Sequence, residues 1–543
     1  MIPASGNLLL AGGDTGYNLT RSLRTRASAS AYLNRTNTSA VTNNAVWTYS
    51  AWAKLGYWSS GNAATLLGTG AGGSANECSI KYVNNQLNVI NYVGSSVKCR
   101  YITTAVYRDP SAWYHVVVSS NSSTSLRIYI NGVQITVFDV AVSPDASAWG
   151  INTASTASYM GWLSGNTYFD GHLAEVNFID GQALTPSSFG ETDTLTGVWK
   201  AKKFSGTYGT NGFYLNFNDN SAATAAAIGK DSSGNGNNWT PNNISLTAGA
   251  TYDSMTDVPT LTSATAANFA VLNPLKPNGS ASIVNGNLSV TPSGTYCNGL
   301  STIQLDSGAY YAECTVTTAQ AMAWGIWLNS ASTTASTGTT PTGFYGIYSG
   351  GATLMINGTN AYTNAGASPS SGDIVQVAWS NGKVWFGKNN TWYDSTFGTT
   401  GNPSTGANAT VSSLSNDAFA IAFCGANASP VLAANFGQRP FAYTPPTGFV
   451  ALNTNNIAAG TVTTSGAFTG NVSTDGPFVY LNGTPTALTI NGNAVTWGVH
   501  ADKLANGFKV RSSSTSYNST GTNTYSVSTV GAVFKYANAQ GNP

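Results

Sequence analysis

The sequence predicts an all-β protein, two β-sandwiches followed by a small β module, and three observations predict it. Asn-Gly recurs at Asn131, Asn285, Asn357, Asn381, Asn482 and Asn491, each time flanked by short alternating or apolar runs. Both residues of that dipeptide tolerate the positive φ that a two-residue hairpin turn requires. Helical periodicity is nearly absent along the 543 residues. Only 8% of the chain is charged while 42% is hydrophobic and 11% aromatic. A usual charged share is about a quarter, but a disordered chain would also lack aromatics. This one folds, with Asn, Ser, Thr and Gly covering its surface.

Single cores seldom grow past roughly 250 residues, so the length implies about three domains. We place the first at 1–258, opening with a Gly-rich arm to about Tyr17. Arg21 to Arg35 reads as a first strand, and Trp47 to Lys54 as a second with Trp47, Tyr49 and Ala51 on one face and Trp52 on the other. Thr65 to Leu67, Ser79 to Val83 and Gln86 to Val93 supply further strands. The stretch from Ala112 to Phe138 organises the domain: His115 to Val118, Leu126 to Ile130 and Val133 to Phe138 form three antiparallel strands, with Asn131-Gly132 turning the last pair. Leu126, Ile128 and Ile130 alternate with Arg127 and Tyr129, so one face is buried and the other wet, and Trp113 anchors the sheet. Phe213 to Asn220 reads as a return strand and Asp231 to Thr240 as a tight polar loop. Thr256 to Asn268, with Pro259, is the expected linker. A second domain spans 269–452, its Ile374 to Gly387 segment a hairpin turning at Asn381-Gly382 with Trp379 and Trp385 on its arms; residues 453–543 form the module.

Charge excludes one class of partner. A net charge of +1 and a pI near 7.5 leave no cluster for a polyanion, the longest basic feature being Arg21, Arg24 and Arg26, so nucleic acid is not an expected partner. No apolar run reaches the ~18 residues of a membrane span, and the opening residues carry no basic stretch before a short apolar run, so neither membrane insertion nor a secretion leader is expected. The five cysteines, Cys78, Cys99, Cys297, Cys314 and Cys424, form no C-x-x-C, and His115, His172 and His500 lie far apart, which gives no zinc spacing. Cys78 with Cys99, or Cys297 with Cys314, could pair on neighbouring strands; the plainer reading is buried free thiols.

W-Y-H-V-V-V-S followed by L-R-I-Y-I-N-G-V, and then Y-F-D-G-H-L-A-E-V-N-F-I-D-G-Q-A-L-T-P-S-S-F from Tyr168, resemble the central meander and closing strand of laminin-G-like, concanavalin A-like lectin domains. That resemblance implies a jelly roll. The Ile374 hairpin, with A-N-F-G-Q-R-P-F from Ala434 and P-P-T-G-F-V-A-L-N from Pro445, resembles a SPRY domain, another recognition sandwich. D-G-P-F-V-Y-L-N-G-T-P from Asp475, L-A-N-G-F-K-V-R-S from Leu504 and F-K-Y-A-N-A-Q-G-N-P from Phe534 resemble a C-terminal module that follows such domains in phage proteins. In the first domain the succession S-L-R, A-Y-L-N-R-T, W-T-Y-S-A-W, G-H-L-A-E-V-N-F-I-D-G-Q-A-L and T-Y-G-T-N-G-F-Y-L is similar to lectin-like domains of tail-fibre and other virion proteins of tailed bacteriophages. The resemblance implies a tail-fibre or spike-like virion protein, made in the host cytoplasm and released by lysis, which oligomerises among other virion proteins and holds host surface polysaccharide or another glycan. A capsid decoration or head fibre with an architectural role is the second expectation. A polysaccharide-trimming glycosidase is the third.

Retaining glycosidases need two carboxylates about 5 Å apart. Of Glu77, Glu175, Glu191 and Glu313, none has an acidic neighbour two or four residues on except Glu191, with Asp193 in a loop-like stretch. Asp170 and Glu175 are separated by an odd offset and would point to opposite faces of a regular strand. G-x-S-x-G and G-x-x-x-x-G-K-[ST] are absent, and His115 sits in a sheet-packing pattern, so no catalytic residue is assigned. No cofactor is expected beyond a calcium ion held by loop oxygens at Asp219 or Asp231, whose competing role is to cap their own turns. A sugar needs a flat ring for its C–H face and amides for its hydroxyls. Tyr57 and Trp58, Trp149, and Trp392 with Tyr393 lie outside the expected strands and are the candidate sugar-binding residues; the competing role is packing against a neighbouring domain or subunit.

Overall fold

The computed structural model describes residues 17–56, 63–70, 76–122, 125–145, 149–165, 167–193, 197–260, 263–275, 280–293, 298–305, 308–329, 331, 342–414, 419–425, 429–457, 461–469, 478–480, 484–504, 507–511, 522–530 and 536–537. Among them the chain is all-β, its helical elements being 3₁₀ turns of three residues each. Among the described residues no helix is long and apolar enough to cross a membrane.

The first sandwich has two facing sheets. One runs, in spatial order, Val133–Gln134, Ser125–Ile130, Trp113–Ser122, Trp47–Leu55, Gly171–Asp180, Ser22–Thr25 and Ser254–Met255, with Phe213–Leu215 also paired to Gly171–Asp180. The other runs Phe138–Val142, Ser96–Val106, Gln86–Val93, Glu77–Val83, Ala63–Gly70, Ala157–Met160, Tyr32–Thr36 and Thr240–Asn242. Trp47, Tyr49, Ala51, Leu173 and Phe178 meet Leu66, Ile80, Tyr82 and Val89 between them. Trp52 faces the other way, against Trp113 and Ala174, as strand alternation requires.

Several expectations need correction. Val133 to Phe138 is not one strand of the meander: Val133–Gln134 pairs with Ser125–Ile130, and Phe138–Val142 lies in the facing sheet. Arg21 to Arg35 is not one strand but two: Ser22–Thr25 lies in one sheet and Tyr32–Thr36 in the other. Between them Ser30 sits in the left-handed region at φ 53° and turns the chain across the sandwich. The face carrying Tyr129 is not wet there, because Phe189, Phe204 and Leu184 cover it; Arg127 alone of the outward pair is exposed.

The second sandwich faces a sheet ordered Ser280–Val284, Ser289–Ser293, Val431–Asn435, Ala309–Thr318, Ile374–Ser380, Lys383–Lys388 and Thr391–Trp392 against one ordered Asn298–Leu305, Phe419–Gly425, Met322–Leu328, Phe344–Tyr348, Thr353–Ile356 and Thr359–Thr363. The Ile374 hairpin turns at Asn381 and Gly382, with φ of 46° and 80°. Trp324, Trp379, Phe386 and Phe423 fill its core.

Asp14–Asn456 forms one compact unit and holds both sandwiches, whereas Ile457–Pro543 belongs to another. The stretch expected as a linker is buried structure. Val258 and Ala267 are fully buried, and Asp257 accepts from Lys54 Nζ at 2.8 Å, Trp113 Nε1 at 3.1 Å and the Phe269 amide at 3.3 Å. Within the second unit, Thr461–Thr469, Thr522–Val530, Pro485–Ile490 and Asn493–Ala494 form one sheet and Ala501–Leu504, Gly507–Val510, Phe478–Tyr480 and Tyr536–Ala537 another, around Leu488, Ile490, Phe508, Val510 and Val527.

Candidate functional site

The strand Gly171–Asp180 carries the most unusual side chain of the first sandwich. Against Trp47–Leu55 its register runs from Ala174 opposite Trp52 to Asn177 opposite Ser50, so three steps on one strand match two on the other. One residue is therefore extra, a β-bulge, and Glu175 occupies it at φ 51°. A side chain in the left-handed region is strained by about 1–3 kcal/mol, and such strain concentrates at sites the surroundings hold in place.

Glu175 is 3% exposed. Tyr214 reaches it from Phe213–Leu215, where Asn177 pairs with Tyr214, and Tyr17 from the segment preceding the first strand. Tyr17 Oη lies 2.9 Å from Glu175 Oε1, Tyr214 Oη lies 2.8 Å from Oε2, and the two phenol oxygens are 2.5 Å apart. Asn177 donates to the Glu175 carbonyl at 3.0 Å and accepts from Tyr208 Oη at 3.0 Å, which fixes the bulge from behind. Burial pushes the Glu175 acid up to about 7, with the two phenol contacts and Lys203 pulling the other way. Burial and the neighbouring Glu175 raise the phenols of Tyr17 and Tyr214 well above their ordinary value.

In front of this group lies a cavity of about 230 Å³, walled by Tyr17, Thr20, Glu175, Lys203, Tyr214 and Asn218 among others. Thr20 Oγ1 donates to Asn218 Oδ1 at 2.8 Å, so the rim is tied together by side chains that still carry unused polar capacity. The volume falls below the roughly 300 Å³ at which pockets for drug-sized ligands begin, which suits one sugar ring. Sequence reasoning considered Glu175 only as half of a carboxylate pair. Its sign as a site residue was an acid in the middle of the mostly apolar G-H-L-A-E-V-N-F-I run; Tyr17 and Tyr214, distant in sequence, gave none.

Three of the five expected sugar-binding aromatics are buried. Trp149 is 1% exposed: it opens a 3₁₀ turn, its ring meets Trp47 edge-on at 5.2 Å, and Asn44 holds its backbone. Trp392 is 9% exposed and packs with Tyr311 and Trp385; Tyr393 is 2% exposed and packs on Phe397 at 5.0 Å. A ring whose faces are covered cannot stack on a sugar, so these three serve packing. Tyr57 and Trp58 lie outside the described residues. Asp219 is exposed and caps its own turn, accepting from the Ser221 amide at 3.1 Å and hydroxyl at 2.6 Å. Asp231 is buried and accepts from the amides of Tyr214, Ser233 and Asn237. Asp231 spends both carboxylate oxygens on local geometry and Asp219 its Oδ1, and among the described residues no cluster of three metal-ligating side chains occurs. Cys78, Cys99, Cys314 and Cys424 are buried free thiols; Cys297 lies outside the described residues.

The fold of the first sandwich is lectin-like. Residues 27–188 match the family of the concanavalin A-like lectin/glucanases superfamily. Among solved structures, the SPRY domain of human HERC1 is 14% identical, covering 32% of this chain and 99% of its own, with a TM-score of 0.25. A heptameric SAP-like pentraxin from Limulus polyphemus is 16% identical, covering 32% of this chain and 76% of its own, with a TM-score of 0.21. Tailspike protein 2 of the Escherichia coli O157:H7 bacteriophage CAB120 is 12% identical, covering 34% of this chain and 28% of its own, with a TM-score of 0.22. No curated protein sequence matches the chain.

Proposed function

We propose that this protein is a non-enzymatic, lectin-like adhesin of a tailed-phage particle that holds host surface glycans through its first sandwich. The observation that carries the reading is the polar, single-ring-sized cavity beside Tyr17, Glu175 and Tyr214 in a concanavalin A-like fold. What supports holding over cutting is the company Glu175 keeps: among the described residues lining the cavity it is the one carboxylic acid, beside Lys203, where glycoside cleavage needs two carboxyls. A single-ring site binds weakly, and several copies on one particle raise the whole by a factor of about 10² to 10⁴. An exterior with few charges hydrogen-bonds glycans without attracting every polyanion.

The test is a glycan array probed with the full chain, followed by Tyr17→Ala and Asn218→Ala. Retention on host-envelope glycans, weakened at least tenfold by either substitution, with Asn218→Ala leaving the melting temperature unchanged, is the expected result. Silence across a broad panel, or release of reducing sugar from a bound polysaccharide, defeats it.

A further inference from the structure

Three oxygen contacts meet at the back of the cavity, and they can be counted. Glu175 Oε1 to Tyr17 Oη, Tyr17 Oη to Tyr214 Oη, and Tyr214 Oη to Glu175 Oε2 close a ring at 2.9, 2.5 and 2.8 Å. Oxygens at such separations need one hydrogen between each pair. An ionised Glu175 leaves two protons, one per phenol, for three contacts, and one pair then meets lone pair to lone pair. A neutral Glu175 supplies the third: its O–H donates to Tyr17, Tyr17 donates to Tyr214, and Tyr214 donates to the remaining carboxyl oxygen. Every donor in the ring is then used and every contact holds one hydrogen, while the phenol oxygens keep a lone pair each.

We propose that Glu175 stands in this ring as the neutral acid, and that the pocket it backs takes an uncharged, hydroxyl-bearing sugar in preference to a cationic amino sugar. The inference rests on the reading of the cavity as a sugar site. The bulge fixes the backbone beneath Glu175, and Tyr17 and Tyr214 hold its two carboxyl oxygens, which keeps the carboxyl from turning to an ammonium group. Lys203 on the wall repels a cation, while Asn218 and Thr20 offer amide and hydroxyl groups to neutral hydroxyls. The titratable groups facing Glu175 are Tyr17 from the N-terminal segment, Tyr214 from the paired strand, Tyr208 behind it and Lys203. The acid pushed up to about 7 is the member that ionises first, since both phenols are raised further out of range. Above that pH the ring is one proton short, and Tyr17, the partly exposed member, is the one with room to move.

Isothermal titration of the full chain with glucose, N-acetylglucosamine, glucosamine and glucuronate at pH 5.5 and 8.5 tests this. The uncharged probes are expected to bind at pH 5.5 and to weaken about thirtyfold at pH 8.5, because the protonated fraction falls to about one in thirty there. Glu175→Gln, whose amide N–H takes the donor role and cannot ionise, is expected to bind equally at both. Preference for glucosamine or glucuronate overturns the ligand class. A flat wild-type profile, or loss of binding in Glu175→Gln, overturns the ring. Melting curves read the ring without a ligand: the wild type is expected to lose stability relative to Glu175→Gln as pH rises from 4.5 to 7, since the folded acid keeps a proton that the unfolded one releases. That loss with no sugar bound at either pH leaves the ring standing and defeats the sugar reading; no relative loss defeats the ring.

Discussion

His115 has its chemistry rewritten by its neighbours. Its Nδ1 accepts from Trp199 Nε1 at 2.9 Å, which places the proton on Nε2, where Ser50 Oγ lies at 2.9 Å. Trp52 stacks on the ring at 4.8 Å. Burial pulls its pKa down to about 3, so the imidazole stays neutral, and the C2 proton of a selectively labelled His115 is expected to hold one chemical shift from pH 8 down to 5; a midpoint near 6.5 would contradict the sealed packing. The sequence pattern W-Y-H-V-V-V already spoke for a structural histidine, because the apolar run around it fixes its burial. Trp149 spoke misleadingly. Flanking Ser and Gly mark a loop, but whether a loop tryptophan points out or plugs the end of a sandwich depends on the void beneath it, and that void is made by Trp47 and its neighbours, about a hundred residues away.

At the scale of elements, turns were more legible than irregularities. Asn131-Gly132, Asn285-Gly286, Asn357-Gly358, Asn381-Gly382 and Asn491-Gly492 all have both residues at positive φ; Asn482 lies outside the described residues. Asn84-Asn85, Gly94-Ser95 and Asn389-Asn390 adopt the same sign pair without the dipeptide signal. The bulge at Glu175 was not legible, since no glycine marks the extra residue and only pairing with Trp47–Leu55 reveals the miscount. Two hairpin glycines separate backbone strain from contact. At Gly94, φ 55°, a Cβ meets nothing within 4 Å, whereas at Gly286, φ 70°, it would lie 2.5 Å from His172 Nε2. Gly94→Ala is expected to cost about 1–2 kcal/mol from the left-handed conformation alone. Gly286→Ala is expected to cost more, because the turn must back away from His172, and paired urea midpoints check the order.

At the scale of the compact unit Asp14–Asn456, the two sandwiches are bound by a buried polar seam whose members no sequence pattern connects. Arg24 and Arg26 both donate to Asp253, at 3.0 and 2.8 Å, and Arg24 reaches on to the Asn285 carbonyl at 3.4 Å. The Asn285-Gly286 turn of the second sandwich returns its amides to Asp170 of the first. Lys54 Nζ, buried, divides its three donors among Asp257, Asn268 and Phe269 at 2.8 Å each, and Met255, on the edge strand of the first sandwich, enters the core of the second. A boundary at 258 and 269 was a sound reading of composition, yet it cuts through this seam. Buried charges that hold one another strain badly when a partner is lost, and Asp257→Asn leaves the Lys54 ammonium without its counter-charge, an expected loss of roughly 3–5 kcal/mol. Because the seam joins both cores, that loss belongs to the unit and not to one half of it. Hydrogen exchange should therefore show Trp47–Leu55 and Ile374–Ser380, central strands of the two sandwiches, losing protection by the same free energy in the variant. Loss confined to the first strand would mean that the sandwiches open separately and that the seam orders them without coupling them.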